Sequence, residues 1–337
     1  MSTILKKSEI LFLYESTFSI PNGDPFTGEQ RYDDETKRIL VSDVRIKRFI
    51  RDYLIERGHE IFVINDKSTI EAGGESGAAS RLNTLLKKYE KDLGPVEEAP
   101  AELVEEDATD KKAKKAKGRK GAAVNALALL QKCTDVRLFG GISTKEGMAV
   151  NITGPVQFAL LNPSLNAVDL RTHQNTSVFS SSAEKSRGTI GTTSIVPYAL
   201  CQIQGWINPY SAKISGMTEA DTTDLFAALW KSINNANTRS KSNQNSVLLL
   251  QIVYADAEDK LYGLNRLLKI SSDKRDEQLR SAEDYQLDLS ALLEKVASDK
   301  VTAVRYFTEI DAIEAKIKGQ PKFEKLQFNP SHESNTP

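Results

Sequence analysis

The order of strand and helix signals constrains this chain most. Residues 9–18, EILFLYESTF, are rich in β-forming side chains and read as a first strand. The cluster Pro21-Asn22-Gly23-Asp24-Pro25 then breaks the chain, and a polar loop runs on to Leu40. Residues 42–57, SDVRIKRFIRDYLIER, are a helix. Ser42 suits its N-cap, Gly58 stops it, and Ile46, Phe49, Ile50, Tyr53 and Leu54 recur at helical spacing on one face. Residues 80–91 and 122–132 are predicted helices. Residues 135–140 are predicted as a short strand, and 150–161 as a strand interrupted at Gly154-Pro155.

After a Ser/Thr/Gly-rich stretch at 171–195, which lacks an apolar face and reads as a projecting arm, come strand 196–207, helix 219–234 and strand 246–254, SVLLLQIVY. In the tail one helix is expected near 282–299, and the polar end PSHESNTP is expected to be loose. With the arm and the segment between the early helices set aside, the order is βαββαβ, that of a ferredoxin-like or RNA-recognition domain. The expected class is therefore α+β.

Charge distribution adds a second constraint. The 337 residues include 45 basic and 46 acidic ones, for a net charge of −1, but the signs are not mixed evenly. Residues 96–110 hold seven acids and no base, and residues 111–120 hold seven bases and no acid. Adjacent opposite blocks cancel in the sum, so near-neutrality does not exclude an anionic partner. The stretch reads as a mobile insertion. Its basic half is either a solvated loop or a phosphate contact.

Several classes drop out. No apolar run nears the ~20 residues that span a bilayer. The N-terminus offers only Ile10 to Leu13 as an apolar stretch, so no secretory signal is expected. Two cysteines, Cys133 and Cys201, and three histidines, His59, His173 and His332, fit neither a disulfide framework nor a zinc site. No phosphate-binding glycine motif or catalytic constellation is present. Asp24 and Asp33-Asp34-Glu35 could hold a divalent cation, but Asp beside Pro and Gly ordinarily serves turn geometry.

Three basic clusters remain. The first helix carries Arg45, Lys47, Arg48, Arg51 and Arg57. Lys47 and Arg51 stack at i, i+4, a like-charge arrangement that an anionic partner would relieve, while Arg48 has Asp52 in reach. Arg239-Ser240-Lys241-Ser242-Asn243-Gln244-Asn245 combines cations, hydroxyls and amides without an acid, donors suited to sugar-phosphate backbone. In the arm, Lys185 and Arg187 lie near Thr189, Thr192 and Thr193, with Phe179 as a wedge or stacking group.

PNGDP at 21–25 after a first strand, VSDVRIKRFIRDYL at 41–54, DVRLFG at 135–140, ITGPVQF at 152–158, VPYALCQIQGWINP at 196–209 and TRSKSNQN at 238–245 resemble the Cascade backbone-subunit family of type I CRISPR systems. The match is closest to the I-B-like branch and spans about residues 9–255. The charged insertion and the tail fall outside it. The resemblance implies a modified RNA-recognition palm (1–58, 135–170 and 196–255), helical fingers at 59–134 with a flexible charged segment at 95–122, a protruding thumb hairpin at 171–195, and a C-terminal extension at 256–337. It implies a cytoplasmic, non-catalytic subunit that polymerises head-to-tail along one crRNA and presents it for pairing with target DNA. Partners would be the subunit capping the 5′ handle, the large and small subunits, and the repeat endonuclease at the 3′ hairpin. No cofactor, metal or membrane is implied. The implied RNA contacts are Asn22, Lys37, Arg38, Ser42, Arg45, Lys47, Arg48, Arg51, Phe179, Lys185, Arg187, Arg239, Lys241 and Asn243. Two alternatives stand beside it: an RNA endonuclease of related filament architecture using Asp24 and Mg²⁺, and a monomeric RRM-like adaptor.

Overall fold

The strand Ser8–Ser19, β1, organises the molecule because it is buried on both sides: Ile10, Phe12 and Tyr14 join one core, Leu11 and Leu13 another. Alternation of side chains along a strand makes this division automatic. The computed structural model describes residues 6–64, 77–89, 126–145, 149–176 and 190–328.

The further strands are β2 (Tyr32–Asp33), β3 (Arg38–Ser42), β4 (Gly140–Ser143), β5 (Val150–Thr153), β6 (Val156–Phe158), β7 (Leu161–Pro163), β8 (Arg171–Thr176), β9 (Ile190–Ile207), β10 (Gln244–Tyr254), β11 (Lys269–Ser271), β12 (Gln286–Asp288), β13 (Val301–Phe307) and β14 (Phe323–Lys325). The α-helices are α1 (Asp43–Glu56), α2 (Ala78–Tyr89), α3 (Ala126–Leu130), α4 (Thr134–Phe139), α5 (Pro209–Ser215), α6 (Glu219–Asn234), α7 (Ser290–Val296) and α8 (Asp311–Ile317).

The main sheet runs β14-β13-β10-β1-β9-β6. Its pairs are antiparallel except β13 with β14. Helices α1 and α6 pack on one face: Phe49 and Ile50 of α1 and Leu225, Phe226 and Trp230 of α6 share a core with Ile10, Phe12 and Tyr14. Helix α6 is opened by a capping box between Thr218 and Asp221 and spans the predicted residues. The second face is covered by the C-terminal region, whose Leu264, Leu292, Val304 and Ile313 cluster with Leu11, Leu13, Leu248, Leu250 and Ile252. This sheet therefore has no open face over its centre. Beyond the sheet's body, β9 continues past Val196 and pairs with β8, Arg171 opposite Ile195 through Thr176 opposite Ile190.

The structure departs from the sequence expectations in three places. Residues 135–140 are not a strand: Thr134–Phe139 form α4, with the chain turning into β4 at Gly140. The six-residue pattern was too short to separate the two periodicities. The expected helix at 282–299 shrinks to Ser290–Val296, preceded by a 3-10 turn at Ala282–Asp284 and by β12. The tail also supplies β13, which pairs with β10 from Leu249 opposite Phe307 to Tyr254 opposite Val301, and so belongs to the main sheet. The supposed loop to Leu40 contains β2 and β3, and β3 pairs with β7. The insertion at 95–122, Phe179, Lys185, Arg187 and the end PSHESNTP lie outside the described residues.

Gly154, in the ITGPVQF stretch, explains one motif physically. A Cβ there would stand 2.0 Å from the Phe139 carbonyl carbon, and one at Gly140 would stand 2.1 Å from the Ile152 carbonyl oxygen. The two segments cross backbone to backbone, and Gly140 also holds φ at +83°.

Candidate nucleic-acid interface

The turn after β1 is tied to the start of α1 through one side chain. Asn22 Oδ1 accepts from the Ser42 backbone N–H at 2.6 Å and from the Ser42 hydroxyl at 2.8 Å, and the Asn22 N–H donates to Gln30 Oε1 at 2.9 Å. The Ser42 hydroxyl in turn accepts from the Arg45 N–H at 3.3 Å, capping the helix. Asn22 is buried, so it acts as a clamp between the turn and the helix. Asn22, Ser42 and Arg45 border a cleft of about 630 Å³, lined also by Gly23, Pro25, Arg31, Asp43, Val44, Arg48, Leu160 and Leu161.

The basic residues of α1 divide between two ridges. Arg45 and Arg48 line the cleft. Arg45 lays its guanidinium over the Phe49 ring at 3.7 Å, and its Nε is buried without a hydrogen-bond partner. Burial lowers its pKa from the usual arginine value, the cost of holding a charge away from water. Arg48 pairs with Asp52 at 2.7 Å and remains half exposed.

Lys47 and Arg51, expected to be the leading RNA contacts, are not brought to the cleft. Lys47 pairs with Asp43 at 3.0 Å, and Arg51 with the fully buried Asp135 at 2.9 Å. Both sit near the Phe139 ring of α4. Asp135 also accepts the N–H groups of Phe62 at 2.7 Å and Val63 at 3.0 Å. The like-charge pair is thus relieved internally, for Lys47 by Asp43 four residues before it and for Arg51 by the distant Asp135, which helical spacing did not reveal.

The loop before β10 reaches the end of β1, just before the turn that borders the cleft. The Lys241 ammonium donates to the Ile20 carbonyl, two residues before Asn22. Burial first, and the charge of Arg45 second, push its pKa down to about 8. Arg239 and Asn243 are exposed; Asn243 holds φ at +57°, and its carbonyl accepts from Thr17 N–H at 3.0 Å. Arg45 and Lys241 thus lie close together, partly dehydrated, with no carboxylate of the described residues bonded to either, an arrangement an anion would relieve.

Lys37 stands elsewhere, paired with Asp169 at 3.1 Å and Glu277 at 3.6 Å. Arg38 is half-buried in β3, opposite Asp33 of β2. The positions that sequence reasoning missed are Arg31, which pairs with Asp24 at 3.1 Å at the rim of the cleft, and the exposed apolar side chains Val44, Leu160 and Leu161. The charge of Arg31 and the position of Val44 in the first turn of the helix were visible signals. Leu160 and Leu161 reach the rim only through the pairing of β7 with β3.

Asp24 serves the turn. Its Oδ1 accepts from Phe26 N–H at 2.9 Å and Thr27 N–H at 3.3 Å, and the Phe26 contact holds its carboxyl below the usual range. Among the described residues, no three His, Cys, Asp or Glu side chains are grouped to hold a metal ion. No helix among them is long and apolar enough to cross a membrane.

Residues 6–290 match the family described as CRISPR-associated protein Cas7, which places the chain in the CRISPR-associated class. With that much of its length matched, the chain belongs to the Cas7 family. It is 29% identical over 313 residues to the CRISPR-associated protein Cas7 of Haloferax volcanii, spanning 87% of this chain and 83% of that one. Its fold is similar to a chain solved in a CRISPR RNA-guided surveillance complex, pre-nicking, with a TM-score of 0.50, 13% identity, and coverage of 95% of this chain and 96% of that one.

Proposed function

We propose that the chain is a non-catalytic crRNA-binding backbone subunit of a type I CRISPR interference complex. On this reading β1, β6, β9 and β10 with α1 and α6 form a modified RRM palm. Residues 59–134 form the fingers and 171–195 the thumb. The observation that carries the proposal is Arg45: a half-buried guanidinium whose buried Nε has no partner among the described residues, in a cleft shared with Arg48 and within electrostatic reach of Lys241. Phosphate supplies the missing acceptor, and its identity does not depend on base sequence.

An ordinary RRM stacks bases on its open sheet face. Here that face is packed under Leu264, Leu292 and Ile313, so the guide would run along the edge formed by the turn, α1 and the 238–243 loop. Recognition by backbone contacts and stacking, without base-edge hydrogen bonds, suits a subunit that must accept any spacer and present its bases to target DNA. A heterologous contact repeated head-to-tail would give a filament on the guide, with the 5′-handle-capping, large and small subunits and the repeat endonuclease as companions.

The test is sizing of the purified chain with synthetic guides of increasing length. Mass should rise in steps with guide length. A single bound copy regardless of length would support the monomeric adaptor instead. The endonuclease reading loses ground because Asp24 spends its carboxylate on the turn and on Arg31. Guide RNA incubated with the chain and Mg²⁺ should stay intact.

A further inference from the structure

Among the described residues, Phe18 is the aromatic one that holds a positive φ. It lies near the end of β1, is 51% exposed, and holds φ at +45°, a region that bulky residues rarely occupy. The local cause is visible in the ladder. Thr17 pairs with Tyr198 and Ser19 with Val196, which leaves Phe18 opposite Pro197, and proline has no N–H to donate. On the other side β10 has already turned away: Thr17 N–H reaches the Asn243 carbonyl at 3.0 Å, and Ile20 N–H reaches the Ser240 carbonyl at 2.8 Å. The kink therefore falls between the base of the β8–β9 ribbon and the 238–243 loop. Glycine would adopt this backbone without strain, yet the position holds a ring that buries little.

We infer that Phe18 stacks on a nucleobase of the bound single strand where the strand passes between the ribbon and the Arg239–Asn243 loop. The inference rests on the guide-RNA reading above and adds a base-facing contact to its phosphate-facing ones. Stacking tolerates any base, so it keeps the indifference to sequence that the reading requires. The neighbours suit a nucleic-acid strand: Lys241 donates to the carbonyl of Ile20, two residues along, and Arg239 is exposed in the same loop.

The experiment uses the full chain, guide RNAs carrying 2-aminopurine at successive positions, and the variants Phe18→Gly, Phe18→Leu and Phe18→Tyr. The expected result is quenching at one position per bound subunit with the unmodified chain and with Phe18→Tyr, and loss of that quenching with Phe18→Gly and Phe18→Leu. Affinity per subunit should fall about 5- to 150-fold in the latter two, the range of one base–aromatic stack. Phe18→Gly should melt no lower than the parent, which separates a binding role from a structural one. Unchanged quenching and affinity in Phe18→Leu would overturn the stacking role while leaving the guide-RNA reading intact. Absence of RNA binding by the unmodified chain would overturn both.

Discussion

Arg51 on α1 donates its Nε hydrogen to Oδ2 of Asp135 at 2.9 Å, joining residues 84 positions apart. Asp135 is fully buried and also receives two backbone N–H groups from Phe62 and Val63. One carboxylate thus anchors α1, the segment leaving it and α4. Truncating Arg51 to alanine leaves that carboxylate without its counter-charge. The loss should be about 3 kcal/mol of unfolding free energy, read from urea denaturation. Guide affinity of the folded fraction should be unchanged, since Arg51 does not line the cleft.

Arg45 predicts the opposite pattern. Replacing it with glutamine removes a dehydrated charge that has no internal carboxylate, so thermal stability should hold or rise. RNA affinity should fall, and the log–log salt slope should flatten by about 0.7 for the one lost phosphate contact. An unchanged slope would remove Arg45 from the interface.

Lys241 should confer a pH dependence. Its pKa is about 8 in the folded chain, against an ordinary value of 10.5 that applies once unfolded. Between those values the unfolded state holds more protons, so this group makes unfolding harder as pH rises through the window. The stability of the parent relative to Lys241→Met should therefore increase from pH 8 to pH 10. RNA binding should show the reverse trend, because phosphate favours the ammonium form and affinity is lost as the proton leaves. Parallel denaturation and binding series at both pH values check the two signs.

The C-terminal region should be indispensable for folding. Ending the chain after Tyr254 would uncover Leu11, Leu13, Leu248, Leu250 and Ile252. At about 2 kcal/mol per buried aliphatic side chain, the exposed surface approaches the whole stability of an ordinary domain, about 5–15 kcal/mol. The truncated chain is expected to be insoluble or unfolded by circular dichroism.

Gly154→Ala should be destabilising by about 1–3 kcal/mol or more, because its Cβ would meet backbone rather than a yielding side chain. A shifted urea midpoint with unchanged slope is the expected readout. An unshifted midpoint would mean that the crossing of the two segments is looser than 2.0 Å implies.

The elements that sequence order and periodicity made legible were those with long, regular patterns. β1, α1 with its Ser42 cap, and α6 all formed where the spacing of Ile46, Phe49, Leu225 and Leu229 placed them. α4 was misread because six residues cannot distinguish the two periods, and β13 was overlooked although its partly alternating burial fits a strand. The cleft was half legible. Asn22, Ser42, Arg45 and Arg48 were named from residue type and position, whereas Arg31, Leu160 and Leu161 were not.

Local spacing by itself determined which residues of α1 face the core and which carry charge, because a helix fixes those directions within a few residues. It could not decide which cations stay available. That depends on where Asp135 and the loop before β10 arrive in space, and these lie 84 and more positions from their partners. Folding set Arg51 against Asp135 and left Arg45 with a donor unused, a difference created by long-range packing, whereas Lys47 pairs with Asp43 one turn away on its own helix.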